Sequence, residues 1–101
     1  MKITDSELDD ELRFEVSAYL DGKKDEVKDR LKKPTRQEQR RGFSGLLEWA
    51  ARVVEDNDSD KVVVSVRQKD DGEKWHRLMW VEMNVTEGFI KVKGEFPQII
   101  I

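Results

Sequence analysis

Hydrophobic and polar positions alternate with period two over residues 61–69, 74–85 and 89–96, which predicts three β-strands. Asp71-Gly72 separates the first two and Glu87-Gly88 the last two, each placed to form a hairpin turn. If these dipeptides are the loops, Val66 falls opposite Arg77, Val64 opposite Met79 and Val62 opposite Val81. In the second hairpin Val85 then faces Ile90, Met83 faces Val92 and Met79 faces Phe96. Both registers turn one set, the valines and methionines, to the same side, and Trp75 shares that parity.

The other side is expected to be mostly wet but carries large apolar groups. One row reads Lys61, Glu82, Lys93, alternating in sign, and the next reads Val63, Trp80, Glu95. Leu78 falls opposite Ser65, His76 opposite Arg67, and Phe89 near the second turn. Val63, Arg67, His76, Leu78, Trp80 and Phe89 are therefore the predicted partner-binding residues, an aromatic-centred island ringed by charge of the kind interface centres favour. Three kinds of cover are open to it. They are helix 1 or the Ile99-Ile100-Ile101 tail behind Pro97, a second copy of the chain in a homodimer, or a partner protein.

The N-terminal half is read as helical. Thr4 and Glu7 have capping-box spacing, and Leu8, Leu12, Val16, Tyr19 and Leu20 share a side, which predicts a helix over about 5–20 ended by Gly22. Phe14 and Ala18 fall outside that stripe. Val27 and Leu31 predict a short helix over about 24–32, stopped by Pro34. Thr35 and Glu38 repeat the capping-box spacing and open a third helix over about 36–55. Phe43, Leu46, Leu47, Ala50, Val53 and Val54 form its apolar arc, with Trp49 at the margin. Gly42 and Gly45 weaken its first turns. The expected fold is α+β: one domain over residues 1–101, with two or three N-terminal helices packed on one face of a C-terminal three-stranded antiparallel meander.

Composition narrows the function. A chain of 101 residues suits a single modest core, and 41% charged residues imply a heavily solvated surface. There is no cysteine, hence no disulfide, thiol nucleophile or thiolate metal site. This fits a cytoplasmic location. No apolar run is long enough to span a membrane, and the acidic N-terminus is unlike a signal peptide. The net charge of −3 argues against a general nucleic-acid binder, and Glu82 and Glu95 beside Trp80 argue against RNA stacking there. Residues 1–15 carry two cations against six acids, whereas 28–41 carry seven cations against two acids. Mutual pairing of these segments is the simplest expectation.

Catalytic constellations are not legible. His76 is the only histidine, no serine has a G-x-S-x-G context, and the glycines are scattered over turns rather than gathered in a phosphate loop. Asp56, Asp58 and Asp60 resemble the opening of an EF-hand loop. Lys61 occupies the glycine position and Arg67 the bidentate glutamate position, so no metal site is expected. Arg36, Arg40 and Arg41 are candidate phosphate contacts at the start of the third helix. The expectation is thus a non-enzymatic, cofactor-free module that docks onto a protein, in the manner of inhibitors, antitoxins, immunity proteins or phage anti-defence proteins. The alternative is a nucleic-acid-associated regulator using those three arginines.

Overall fold

A computed structural model of the protein describes residues 2–20, 23–25, 33–56 and 58–100. The C-terminal half is strand-rich: β4 (Lys61–Lys69), β5 (Trp75–Asn84) and β6 (Phe89–Gly94) are consecutive antiparallel neighbours. Two further strands extend this sheet: β2 (Leu12–Leu20) pairs antiparallel with β4, and the short β3 (Lys23–Asp25) pairs with the end of β2. The order is β3-β2-β4-β5-β6. A separate parallel pair joins β1 (Lys2–Thr4) to β7 (Gln98–Ile100).

The expected fold is therefore corrected. The chain is an α+β domain with one main helix, four long antiparallel strands, a short edge strand and a parallel pair. It is not a set of two or three helices on a three-stranded meander. Residues 5–20 hold a 3-10 turn (Asp5–Glu7), the single-turn helix α1 (Leu8–Glu11) and strand β2. The reason lies in the side chains that a helix stripe leaves out. Leu12, Phe14, Val16 and Ala18 alternate with Arg13, Glu15, Ser17 and Tyr19, and a strand turns all four apolar residues to the core. The ladder to β4 then satisfies the backbone of β2 from Leu12 to Tyr19. Of the expected second helix, residues 24 and 25 belong to β3, and 26–32 lie outside the described residues.

The expected third helix is two helices, α2 (Arg36–Arg40) and α3 (Phe43–Asp56). Thr35 caps α2: its Oγ1 accepts from the Glu38 backbone N–H at 3.2 Å, while Glu38 Oε1 accepts from the Thr35 N–H at 2.8 Å. The chain breaks at Arg41-Gly42, where Gly42 takes φ +65°, a left-handed conformation that glycine adopts without steric cost.

Helix α3 supplies the helical side of the core. Leu46, Trp49, Ala50, Val53 and Val54 are buried at spacings of three and four, and Trp49 is only 1% exposed. The apolar arc is centred closer to Trp49 than its residue pattern suggests, and Phe43 is left at the edge, 38% exposed. These side chains meet Val62, Val64, Val66, Met79 and Val81 of the sheet, and Phe14 meets Trp49 edge to face with ring centroids 6.1 Å apart. Ile3 and Ile99 of the β1–β7 pair pack on the same core. Beyond α3 the helical side of β6 is open: Ile90 is 49% and Val92 43% exposed.

Candidate functional site: the open face of the sheet

The hairpin registers decide which side chains share the face opposite α3, the open face, which no helix among the described residues covers. Val66 pairs with Met79, Val64 with Val81 and Val62 with Met83, two residues away from the sequence expectation. The cause is a longer loop followed by a bulge. The β4–β5 connection runs over residues 70–74, tied by Asp70 N–H to Lys74 C=O at 2.8 Å and Glu73 N–H to Asp70 C=O at 3.0 Å. That loop slips the register by one, so Lys69 meets Trp75 and Arg67 meets Arg77. A one-residue slip exchanges faces. An irregularity at Val66/Arg67 then leaves Leu78 unopposed, which restores the original parity for the rest of β5. The β5–β6 turn is also longer, over residues 85–88, and Met83 meets Ile90 while Trp80 meets Lys93.

These shifts redistribute the expected island. Val63, Arg67, Trp80 and Phe89 stand on the open face. Leu78 packs against the hydrophobic core instead, and His76 faces the loop, where its Nε2 bonds the Asp70 carboxylate. Trp75, by contrast, comes over to the open face, and Arg13 stacks on it with its guanidinium carbon 4.2 Å from the ring centroid. The C-terminal isoleucine tail does not cover Trp80: Ile99 and Ile100 lie in the parallel pair, and Ile101 is outside the described residues.

Row by row, the open face reads Arg13-Arg67-Arg77, Glu15-Ser65-Trp80-Lys93, Ser17-Val63-Glu82-Lys91 and Tyr19-Lys61-Asn84-Phe89. These rows carry six cations against Glu15 and Glu82, a net of +4 on a chain whose total is −3. Trp80 has Ser65 and Lys93 as cross-strand neighbours rather than Val63 and Glu95. Each aromatic ring here lies under a cation. Besides Arg13 on Trp75, Lys61 sits 4.5 Å from the Tyr19 ring, Lys91 5.0 Å from Phe89 and Lys93 5.7 Å from Trp80. The rings are partly exposed and well separated. Tyr19 and Phe89 stand three strands apart in one row, roughly 14 Å, and Trp80 lies about as far from Phe89. Tyr19, Trp75 and Arg13 escaped the sequence reading, although the alternation of residues 12–20 carried the signal for two of them.

The three arginines expected at a helix start instead bracket α2, Arg36 opening it and Arg40 and Arg41 closing it, and all three are engaged by acids. Arg40 grips Asp5 with two bonds of 2.8 and 2.9 Å, and Arg36 Nη1 donates to the Asp5 carbonyl at 2.9 Å. Arg40 thereby holds the Asp5 carboxyl below its usual range, with Arg36 adding to the effect. Arg41 pairs with Glu48 at 2.8 Å. An acidic N-terminal residue and the basic segment do meet, as their opposite charges suggest.

A cleft of about 350 Å³ lies on the helical side, lined by Lys2, Glu7, Glu11, Gln68, Lys69 and His76 among others. Hydrogen bonding between the Glu7 and Glu11 carboxyls raises the Glu11 pKa, while Thr4 and Glu11 lower that of Glu7. Thr4 Oγ1 donates to the Glu7 carboxylate at this cleft, and the His76 ring is bonded to the Asp70 carboxylate. Among the described residues no group of three or more His, Cys, Asp or Glu is clustered to hold a metal ion, and no helix is long and apolar enough to cross a membrane. Comparison with known protein families, curated proteins and solved structures finds no match to this chain.

Proposed function

We propose that this protein is a binding module rather than an enzyme, and that it acts by docking the open face of its sheet onto an anionic macromolecule. The observation that carries this reading is the charge separation: six cations against two acids over the four described rows of one face, on a molecule that is acidic overall. A concentration of one sign on a flat surface steers a partner of the opposite sign and fixes its orientation. The fold supports the role mechanically. The strands hold the cationic and aromatic side chains in fixed rows, and the helix and the β1–β7 pair keep the core on the other side.

Retention on heparin, a flexible polyanion, tests the reading. The wild-type protein is expected to bind at low salt and elute on raising it, despite its net negative charge. Reversing Lys91 and Lys93 to glutamate together should bring elution to markedly lower salt with an unchanged circular-dichroism spectrum, because both residues are exposed on strand β6. Arg41→Glu, on α2's C-terminal side and away from the sheet face, should leave retention unchanged. Flow-through of the wild type, or loss of retention in the Arg41 variant alone, would overturn the assignment to this face.

A further inference from the structure

Resting on the reading of the open face as a polyanion-binding surface, the geometry points to single-stranded nucleic acid as its occupant. Charge alone would suit an acidic protein equally well. The aromatic residues decide between them. A protein partner is held best by a contiguous apolar centre from which water is excluded. The observed registers disperse such a centre: Val63 is flanked by Ser17 and Glu82, and Trp80 by Ser65 and Lys93. What remains is four separate flat rings, Tyr19, Trp75, Trp80 and Phe89, each with its own cation at 4.2–5.7 Å. That repeated unit, a ring beside a positive charge, matches a ligand that repeats a flat base beside a negative phosphate.

The cations need only swing aside to exchange partners. A base stacking on the Trp80 ring displaces the Lys93 ammonium, which is on a flexible stem and stays within reach of the adjoining phosphate. The same exchange is available to Lys91 beside Phe89 and Lys61 beside Tyr19. Double-stranded nucleic acid does not fit this arrangement, because its bases are already stacked on one another and a broad sheet cannot enter a groove to reach them. The face extends about 30 Å along β4, room for a segment of several nucleotides. Ser65, Val63, Glu82 and Asn84 stand between the rings of Trp80, Tyr19 and Phe89, and stacking on those rings is available to any base, so binding is expected to be largely tolerant of sequence.

Tryptophan fluorescence provides the test, since Trp75 and Trp80 are on the face while Trp49 is buried in the core. Titration with oligothymidylate about twelve nucleotides long should quench emission saturably, with an affinity that falls steeply as salt rises. Trp80→Ala should lose much of the quenching and weaken binding about tenfold, whereas Trp80→Phe, which keeps a stacking ring, should recover most of the affinity. A duplex of matched length should bind more weakly and quench little. If heparin retention holds but the oligonucleotide neither binds nor quenches, the polyanion reading stands and the nucleic-acid assignment is overturned. Tighter binding of polyglutamate than of the oligonucleotide would overturn it in favour of an acidic protein. Failure of both heparin and oligonucleotide would remove the underlying reading itself.

Discussion

Gly45→Ala is expected to destabilise the protein by about 3 kcal/mol, near the upper end of what overpacking a core costs. Two effects oppose each other at this position. Alanine is the better helix former, worth up to about 1 kcal/mol inside α3. A Cβ at residue 45, however, would stand 1.9 Å from the Glu38 carbonyl oxygen and 2.6 Å from its carbon. Those are backbone atoms of α2, so no rotamer change relieves the collision, and the short helix must move away as a body. The clash wins. Such a movement also stretches the bonds from Arg52 of α3 to the Glu38 carboxylate. The midpoint of urea unfolding reports the loss, with Gly72→Ala as a control in which the new methyl group meets only the Asp70 side chain at 3.4 Å. A Gly45→Ala protein as stable as the wild type would show that α2 and α3 do not approach this closely.

Glu38→Ala is expected to lose about 3 kcal/mol as well, through a different cause. The Glu38 side chain is 4% exposed and accepts from Arg52 at 2.6 and 2.9 Å, in addition to capping Thr35. Truncation strands the Thr35 N–H and releases the guanidinium. Because the Arg52 side chain is 44% exposed, it can turn to water, which keeps the loss at the low end for a broken buried pair. Glu38→Gln retains the acceptor for Thr35 and should lose roughly half as much. The same contacts set a pH dependence. The Arg52 hydrogen bonds, helped by those from Thr35 and opposed by burial, hold the Glu38 carboxyl down at about 2, below the ordinary 4.5. A depressed carboxyl contributes its stability in full above the unfolded-state value and gives it up as pH falls from about 4.5 toward 2. Acid unfolding of the wild type should therefore be steep in that window and flatter in Glu38→Gln, as followed by circular dichroism.

How far the fold can be read from the residues depends on how many patterns each segment satisfies. Over 61–69 and 75–84, period two is the only periodicity available, and the valines and methionines do face the helix. Over 12–20 two periods coexist. Leu8, Leu12 and Val16 suit a helix, Leu12, Phe14, Val16 and Ala18 suit a strand, and only the pairing with a distant segment selects between them. That partner, β4, lies some fifty residues away, so local propensity carries no sign of it. The open face illustrates a finer limit. Its alternation is legible, but Trp75 and Leu78 exchange sides because the loop is five residues long and a bulge follows it. Loop length and bulge position follow from bonds such as Lys74 N–H to Asp70 Oδ1, formed by residue types that also fit a tighter turn. At α2, the double capping box of Thr35 and Glu38 was visible as spacing. The burial of that glutamate against Arg52 was not, because it depends on the turn at Gly42 bringing the two helices together.

The pairing of Ile3 with Ile99 has a consequence for how the molecule is made. Its two halves lie far apart along the sequence, at residues 3 and 99, so closing that contact restrains a very long loop and comes late in folding. During synthesis the first strand leaves the ribosome long before its mate has been translated. Until residues 98–100 emerge, the side chain of Ile3 has no β7 to shelter beside, and it stays uncovered while the intervening segments assemble.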